Sequence, residues 1–304
     1  MEIEQTTRRE FLRHTAAAGG SLIAGSVYTA QAGPKNSLSP DRMGVLVDTT
    51  VCVGCRTCEW ACKNAHGIPT QPYHAYEDRT VLARTRRPTH SALTVVNEFP
   101  AGETNTHPID VKTQCMHCDH PACVSACIVG AFTKQEDGSV LWDGDKCIGC
   151  RYCMVACPFQ IPSFEYSKAI QPDIAKCDFC AGRTSQGMLP ACVDICPVGA
   201  MTYGPRTDLI KVARARMDRY PNRYLHHLYG EYEAGGTGWL YMASRDFSSL
   251  GFPDVGTRPM PGTAESIQHG IFAYFMPPVM LYALLGALMW ITKKRREIEE
   301  EAGE

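Results

Sequence analysis

The chain has 304 residues, 44% hydrophobic and 20% charged, enough apolar material for one large domain or two small ones, so global disorder is excluded. Thirty Lys and Arg stand against thirty-two Asp and Glu, for a formal net charge of -2. With no basic field to hold phosphates, nucleic-acid binding drops out. Sixteen cysteines are too many, and too regularly grouped, to be core filler.

The N-terminus reads as an address. Thr7-Arg8-Arg9-Glu10-Phe11-Leu12-Arg13, a weakly hydrophobic Ala- and Gly-rich stretch, and Ala30-Gln31-Ala32 occur in the order of a twin-arginine export signal, so residues 1-32 are expected to be removed on export. Twin-arginine export carries folded proteins, which suits a chain that receives a cofactor before leaving the cytoplasm. Cys52, Cys55, Cys58 and Cys62 then form a first group spaced C-x2-C-x2-C-x3-C, and residues 63 to 110 form a cysteine-free polar insertion with short strands. A second group, Cys115, Cys118, Cys123 and Cys127, is followed by GAFTKQEDGSVLWDGD, which predicts a hairpin turning at Asp137-Gly138. The third group, Cys147, Cys150, Cys153 and Cys157, repeats the spacing of the first, and the fourth is Cys177, Cys180, Cys192 and Cys196. Thr207 to Asp218 places Leu209, Ile210, Ala213 and Met217 on one face of a surface helix. GGTG at 235-238 lacks the frame of a nucleotide loop and reads as a turn.

At the far end, Ile271 to Thr292 is a charge-free run of twenty-two residues, about 33 Å as a helix, which predicts a transmembrane helix kinked at Pro277-Pro278. Lys293-Lys294-Arg295-Arg296 follow, and the positive-inside rule puts that end in the cytoplasm with the cysteine region on the periplasmic side. The two end signals agree on topology.

The first and third groups align as VCVGCRTCEWAC and KCIGCRYCMVAC, and PACVSACIVGA matches PACVDICPVGA, so the chain carries an internal duplication. Disulfides need separated, well-aimed pairs, and tetrahedral zinc has no use for a third cysteine two residues on. The spacing is instead that of bacterial ferredoxins, in which three thiolates hold one cubane and the fourth reaches a neighbouring cluster. Four [4Fe-4S] clusters account for all sixteen cysteines as iron ligands. Gly54 and Gly149 would let backbone N–H groups approach cluster sulfur.

Only nineteen residues separate Cys127 from Cys147, so groups two and three form one dicluster module and groups one and four close around it as an outer pair. Crossing the last cysteine of each group gives Cys52, Cys55, Cys58 with Cys196; Cys177, Cys180, Cys192 with Cys62; Cys115, Cys118, Cys123 with Cys157; and Cys147, Cys150, Cys153 with Cys127. Adjacent pairing, one with two and three with four, is the competing order. His117 and His120 lie within the second group and read as packing or hydrogen-bonding residues, not ligands. Arg56 and Arg151 follow a ligand and read either as charges that raise a cluster's potential or as solvated surface groups.

These residues resemble the four-cluster, ferredoxin-like electron-transfer subunits of membrane oxidoreductases, strongly over residues 44 to 204. The export signal, the tail helix, HLYGEYEAGGTGWLYM at 227-242 and SIQHG at 266-270 are most similar to the iron–sulfur subunit of hydrogenase-2-type complexes; the formate dehydrogenase beta subunit, or that of another molybdopterin oxidoreductase, is the runner-up. Lys63 and Ile128 depart from the proline that follows Cys157 and Cys196, which alters local turns but not ligands. The resemblance implies an α+β fold of two nested bacterial-ferredoxin-like dicluster modules at 44-205, a C-terminal extension at 206-267, one transmembrane helix at 268-292 and a cytoplasmic tail at 293-304. It implies a non-catalytic subunit that carries electrons between a periplasmic NiFe hydrogenase, with its large and small subunits, and an integral membrane quinone-reactive subunit, with the third group's cluster nearest the membrane. A structural zinc or disulfide scaffold is the reading of another class.

Overall fold

The computed structural model describes residues 39-40, 42-101, 107-168 and 173-301, with the side chains of 263-277 and 297-301 also outside the description. The expected export signal at 1-32 lies outside the described residues.

Three strands make the central sheet. β1 (Met43–Asp48) precedes the first cysteine group, and of the strands β2 (Val95–Phe99), β3 (Ile109–Thr113), β4 (Phe132–Lys134), β5 (Val140–Trp142), β6 (Ser163–Phe164), β7 (Ile174–Ala175), β8 (Met201–Pro205) and β9 (Trp239–Met242), it is β8 and β9 that flank it. β8 runs antiparallel to β1 with Val47 opposite Met201, and β9 runs parallel to it with Val45 opposite Trp239. Both faces are buried, which is why β1 and β9 read as continuous apolar runs instead of alternating ones. Val45, Val47, Trp239 and Tyr241 face a core shared with Cys58, Cys192, Val96, Val111 and Phe179. Leu46, Leu240 and Met242 face the helix Arg206–Arg219, whose Leu209, Ala213 and Met217 meet them. That helix carries the apolar face expected of Thr207 to Asp218.

The remaining strands pair locally. β4 and β5 form the expected hairpin, Lys134 opposite Val140, with Gly138 in the left-handed region at its turn (φ 92°) and Ser139 N–H donating to Asp137 Oδ1 at 2.8 Å. β2 pairs antiparallel with β3, which places the strands expected within 63-110, and β6 pairs with β7.

Short helices follow the cysteines: α1 (Thr57–Ala65), α2 (Ala122–Ser125), α3 (Tyr152–Ala156), α4 (Ala181–Thr184) and α5 (Ala191–Asp194), with the longer Arg206–Arg219 as α6. α3 and α5 stop short of Cys157-Pro158 and Cys196-Pro197, since a residue before proline is pushed out of the helical region. Lys63 in place of proline lets α1 continue past Cys62 to Ala65. α1 packs on α5 and α2 on α3, so the helices of groups one and four meet, as do those of groups two and three. The nested order, not the adjacent one, describes this packing.

Segment 206-267 is not an appendage. It supplies β9, and the GGTG stretch is the expected turn, with Gly235 and Gly236 at positive φ. Gly236 O accepts Asp119 N–H at 2.8 Å and Gly238 N–H donates to Met116 O at 3.0 Å, which fastens the turn to the second cysteine group. Asp119 also receives Arg42 through Nε at 2.9 Å and Nη2 at 2.6 Å.

Pro261–Glu301 forms one helix, α7, without a break at the two prolines. Among the described residues no helix is long and apolar enough to cross a membrane. The expected span from Ile271 to Thr292 is therefore not shown among the described residues, and the side chains of its first part, Ile271 to Pro277, lie outside them.

Leu46 is 1% exposed at the centre of β1. Leu46→Ala is expected to cost about 2 to 5 kcal/mol by loss of burial and the cavity left behind, read as a lower denaturation midpoint of the cluster-loaded protein. Val212→Ala, on the exposed side of α6, is expected to stay within about 0.5 kcal/mol of the parent.

Candidate metal centres

The residue just before the second cysteine of every group has a left-handed backbone: Gly54 (φ 63°), His117 (φ 48°), Gly149 (φ 70°) and Phe179 (φ 65°). Glycine was legible as the permissive residue in groups one and three. Groups two and four make the same turn with side chains that rarely adopt it, and both are locked by burial. His117 is fully buried, its ring 4.7 Å from that of Phe179, with Nδ1 accepting Val140 N–H at 2.9 Å. Burial, then the charges of Lys176 and Lys134, hold its pKa well below that of a free imidazole, so it stays neutral and packs. At Gly54 a Cβ would lie 2.4 Å from the Asp110 carboxyl, a second reason for glycine there.

This turn aims backbone N–H groups at sulfur. Phe179 N–H donates to Cys177 Sγ at 3.5 Å. Four residues after the last cysteine of groups two and four, Ala131 N–H donates to Cys127 Sγ at 3.2 Å and Ala200 N–H to Cys196 Sγ at 3.3 Å. Such bonds favour a thiolate and, in iron–sulfur sites, raise the reduction potential.

The thiols converge in crossed sets. Cys52 is pushed up to about 11 by burial, eased by the Gly54 N–H and reinforced by Asp110, Cys55 and Cys196. Cys118 is driven up by burial and then by Cys157, Cys115 and Cys123. Burial and the neighbours Cys147, Cys150 and Cys127 push Cys153 up to about 12. Cys177 and Cys192 are raised by burial, against the charge of Lys112, and both have Cys62 as a neighbour. The fourth cysteine of each group thus sits with the first three of its partner group. Strand pairing explains it: β1 leads into Cys52 and β8 leads out of Cys196, while β4 leads out of Cys127 and β5 leads into Cys147.

The four sets also lie next to one another in series, in shared hydrophobic clusters. Cys58 neighbours Cys192, Cys177 neighbours Cys115, and Cys123 neighbours Cys153. The order runs from the Cys52 set through the Cys177 and Cys115 sets to the Cys147 set, where Cys150 is exposed. All sixteen thiols are free of disulfides.

The donor chemistry fits cubane iron. Four clustered soft sulfurs that repel one another as thiolates would be neutralised by a polynuclear iron core held by all four, whereas isolated they remain protonated. Cys52, Cys55, Cys58 and Cys196 line one pocket, with Val47, Val96, Met201 and Lys112 among its other walls.

Four charged residues near these sulfurs were not singled out by sequence. His66 Nε2 lies 2.8 Å from Asp178 Oδ1, and its Nδ1 lies 2.7 Å from Cys62 O. Asp178 and then Cys62 hold its pKa up to about 11. Lys112 and Lys176 are buried amines beside the cysteine sets, and Lys134 is a half-buried one. Nothing in one sequence separates them from surface lysines. Arg56, by contrast, was read as a solvated or potential-raising charge; it is buried, not solvated, and lines the pocket of the Cys52 set while donating to Asp78 O at 2.9 Å and Glu59 Oε2 at 3.2 Å. Arg151 is exposed over Phe164.

Two family models described as 4Fe-4S dicluster domains match the sequence, one over residues 51–131 and the other over 109–206. The hydrogenase-2 operon protein HybA of Escherichia coli O157:H7 is 31% identical over 93% of this sequence and 94% of its own. The protein belongs to the ferredoxin-like iron–sulfur subunits of oxidoreductase complexes. The B subunit of the anaerobic dimethyl sulfoxide reductase of E. coli K12 is 36% identical over 55% of this subunit and 76% of its own length. The iron–sulfur subunit of the nitrate-inducible formate dehydrogenase of E. coli K12 is 31% identical over 65% and 66%. The subunit is an electron carrier built around [4Fe-4S] clusters, not the catalytic member of its complex.

Gly54→Ala forces a Cβ into Asp110 at a left-handed position. The variant subunit is expected to lose the iron of the Cys52 set, about one quarter of the total, in anaerobic metal analysis, while Gly182→Ala, where a Cβ meets nothing, keeps it.

Proposed function

We propose that this subunit is a four-cluster wire joining an exported catalytic subunit, most similar in its setting to a NiFe hydrogenase, to a membrane quinone-reactive subunit. The observation that carries the reading is the serial convergence of four crossed thiol sets. The ligands are Cys52, Cys55, Cys58, Cys196; Cys177, Cys180, Cys192, Cys62; Cys115, Cys118, Cys123, Cys157; and Cys147, Cys150, Cys153, Cys127. Bound iron–sulfur cubanes supply one-electron chemistry. The protein holds them, keeps water from most of the sulfur, and directs N–H groups and buried amines at it.

The hydrogenase setting is favoured because likeness to HybA runs the length of both proteins, whereas likeness to the formate dehydrogenase subunit covers about two thirds of each. Quinone-side contact is assigned to the Cys147 set, which ends the series and carries exposed Ile128, Ile148, Val155 and Tyr166 around it. Arg8 and Arg9 direct export, and α7 anchors the subunit with Lys293 to Arg296 on the cytoplasmic side. Exposed Val279, Leu281, Leu284, Met289 and Ile291 along α7 support an apolar environment there.

The anaerobically purified subunit is expected to carry about sixteen iron and about sixteen labile sulfide, four of each per cubane; a colourless zinc-loaded preparation would refute the assignment. Crossed ligation is read by potentiometric EPR. Cys157→Ser is expected to perturb the same signal as Cys118→Ser, and Cys127→Ser the same signal as Cys150→Ser, because serine oxygen is a harder ligand than thiolate. A match of Cys157→Ser with Cys150→Ser would mean that each group binds its own cluster. Arg8→Lys with Arg9→Lys is expected to trap unprocessed precursor inside the cell, and a reporter fused after Glu304 to face the cytoplasm.

A further inference from the structure

Lys112 stands on β3, two residues before Gln114, and is 3% exposed. A primary amine buried among apolar side chains is costly unless its charge is met. The neutral groups around it meet that charge only in part. An ammonium has three N–H donors; Gln114 Oε1 takes one at 2.8 Å, and the Trp239 ring lies under Nζ at 4.3 Å. Gln114 is itself held, donating from Nε2 to Tyr241 Oη at 2.6 Å, and Tyr241 O–H donates to Lys112 O at 2.9 Å. The amine is therefore fixed in place by a ring of its own neighbours.

What surrounds it is sulfur from two sets. Lys112 lines the cavity walled by Cys52, Cys55, Cys58 and Cys196. On the other side the Trp239 ring under Nζ packs in one core cluster with Cys58 and with Cys192 of the second outer set, and Cys192 and Cys177 both feel the charge of Lys112.

We propose that Lys112 is the shared counter-charge of the two outer centres, a fixed cation at their junction that makes both easier to reduce. The inference rests on the crossed ligand reading above. A cubane held by four thiolates is anionic, and reduction adds one more negative charge. A buried cation close to both therefore favours the reduced form of each, and it lessens the repulsion between two reduced neighbours, since little water is present to screen either effect. The two outer potentials are brought up together, so that an electron passes between them with little loss of driving force. Lys134 lies beside the Cys115 set instead, its Nζ donating to Cys118 O at 2.9 Å, His117 O at 3.2 Å and Gly138 O at 2.7 Å, with Asp119 and Cys118 both near its charge.

Potentiometric EPR of the full cluster-loaded protein tests this, with Cys55→Ser and Cys180→Ser assigning the two outer signals. Lys112→Met and Lys112→Gln are each expected to shift the reduction equilibrium of both outer centres at least tenfold toward the oxidised form, about 59 mV for a one-electron couple. Lys112→Arg, which keeps the charge, is expected to leave both near the parent value, and Lys134→Met to move the Cys115-set signal while the outer pair stays put. Full iron with unchanged outer potentials in Lys112→Met and Lys112→Gln would overturn the proposal and leave the ligand reading standing. A shift confined to one outer centre would overturn the shared role. If Lys112→Met and Lys112→Gln both lost outer-pair iron and Lys112→Arg kept it, the residue would act in assembly and not in tuning. Parent protein lacking about sixteen iron would instead remove the ligand reading itself.

Discussion

Gathering thiols where water does not reach is the constraint around which the rest of the subunit is arranged. Twelve of the sixteen cysteines lie in or against the hydrophobic clusters of the interior. Loss of solvent and then sulfur neighbours push Cys118, Cys123 and Cys153 away from ionising, so the fold has to supply what an anionic metal centre needs before the metal arrives. It does so with backbone N–H groups, left-handed turns that expose them, and protonated amines placed behind the sulfur. All three cost stability: desolvated charge, strained φ in His117 and Phe179, and ordered loops. Binding energy of the iron–sulfur centres is the term that offsets them.

Strands placed at the ends of cysteine groups decide which sulfurs meet. β1 and β8 lie at the two ends of the cysteine region, and their antiparallel pairing closes a loop of about 150 residues so that Cys52 faces Cys196. The short β4–β5 hairpin does the same for Cys127 and Cys147 inside it. An outer closure around an inner one is the geometric meaning of the nested duplication. β9, arriving from beyond the cysteines, locks the outer closure by pairing with the far edge of β1, and Asp119 ties the turn before it to the inner module through Arg42 and Arg206.

Buried charge is used for two different ends. Arg56, Glu59 and Arg86 form an ion-pair network, in which Glu59 Oε1 also accepts Val96 N–H at 2.7 Å; it fastens α1 to β2, with one carboxylate shared between two guanidiniums. Removing one member would strand the others, which is where the energetic weight of such a network lies. Among the described residues Lys112 and Lys176 form no ion pair with a carboxylate, and their charge is left to act on sulfur, while that of Lys134 is shared between Asp119 and Cys118. The difference between the two classes is one of neighbours, not of residue type.

Cysteine count and spacing were enough to determine the chemistry of this protein, because a ferredoxin-type cubane takes three thiolates from one cysteine run and a fourth from its partner run, and few other sites use such a pattern. The duplication, the β4–β5 hairpin, the helix after Pro205 and the turn at 235-238 were equally legible, each resting on local periodicity or turn residues. Resemblance then carried the family. Tertiary structure alone placed Arg56 in the interior, gave β9 to the central sheet, and put Lys112 between two cysteine sets, since burial and electrostatic neighbourhood arise from residues distant in the sequence. The left-handed turn at His117 and Phe179 was likewise invisible: the strain is held by packing from elsewhere, and a local sequence names only the residue under strain, not the contacts that enforce it.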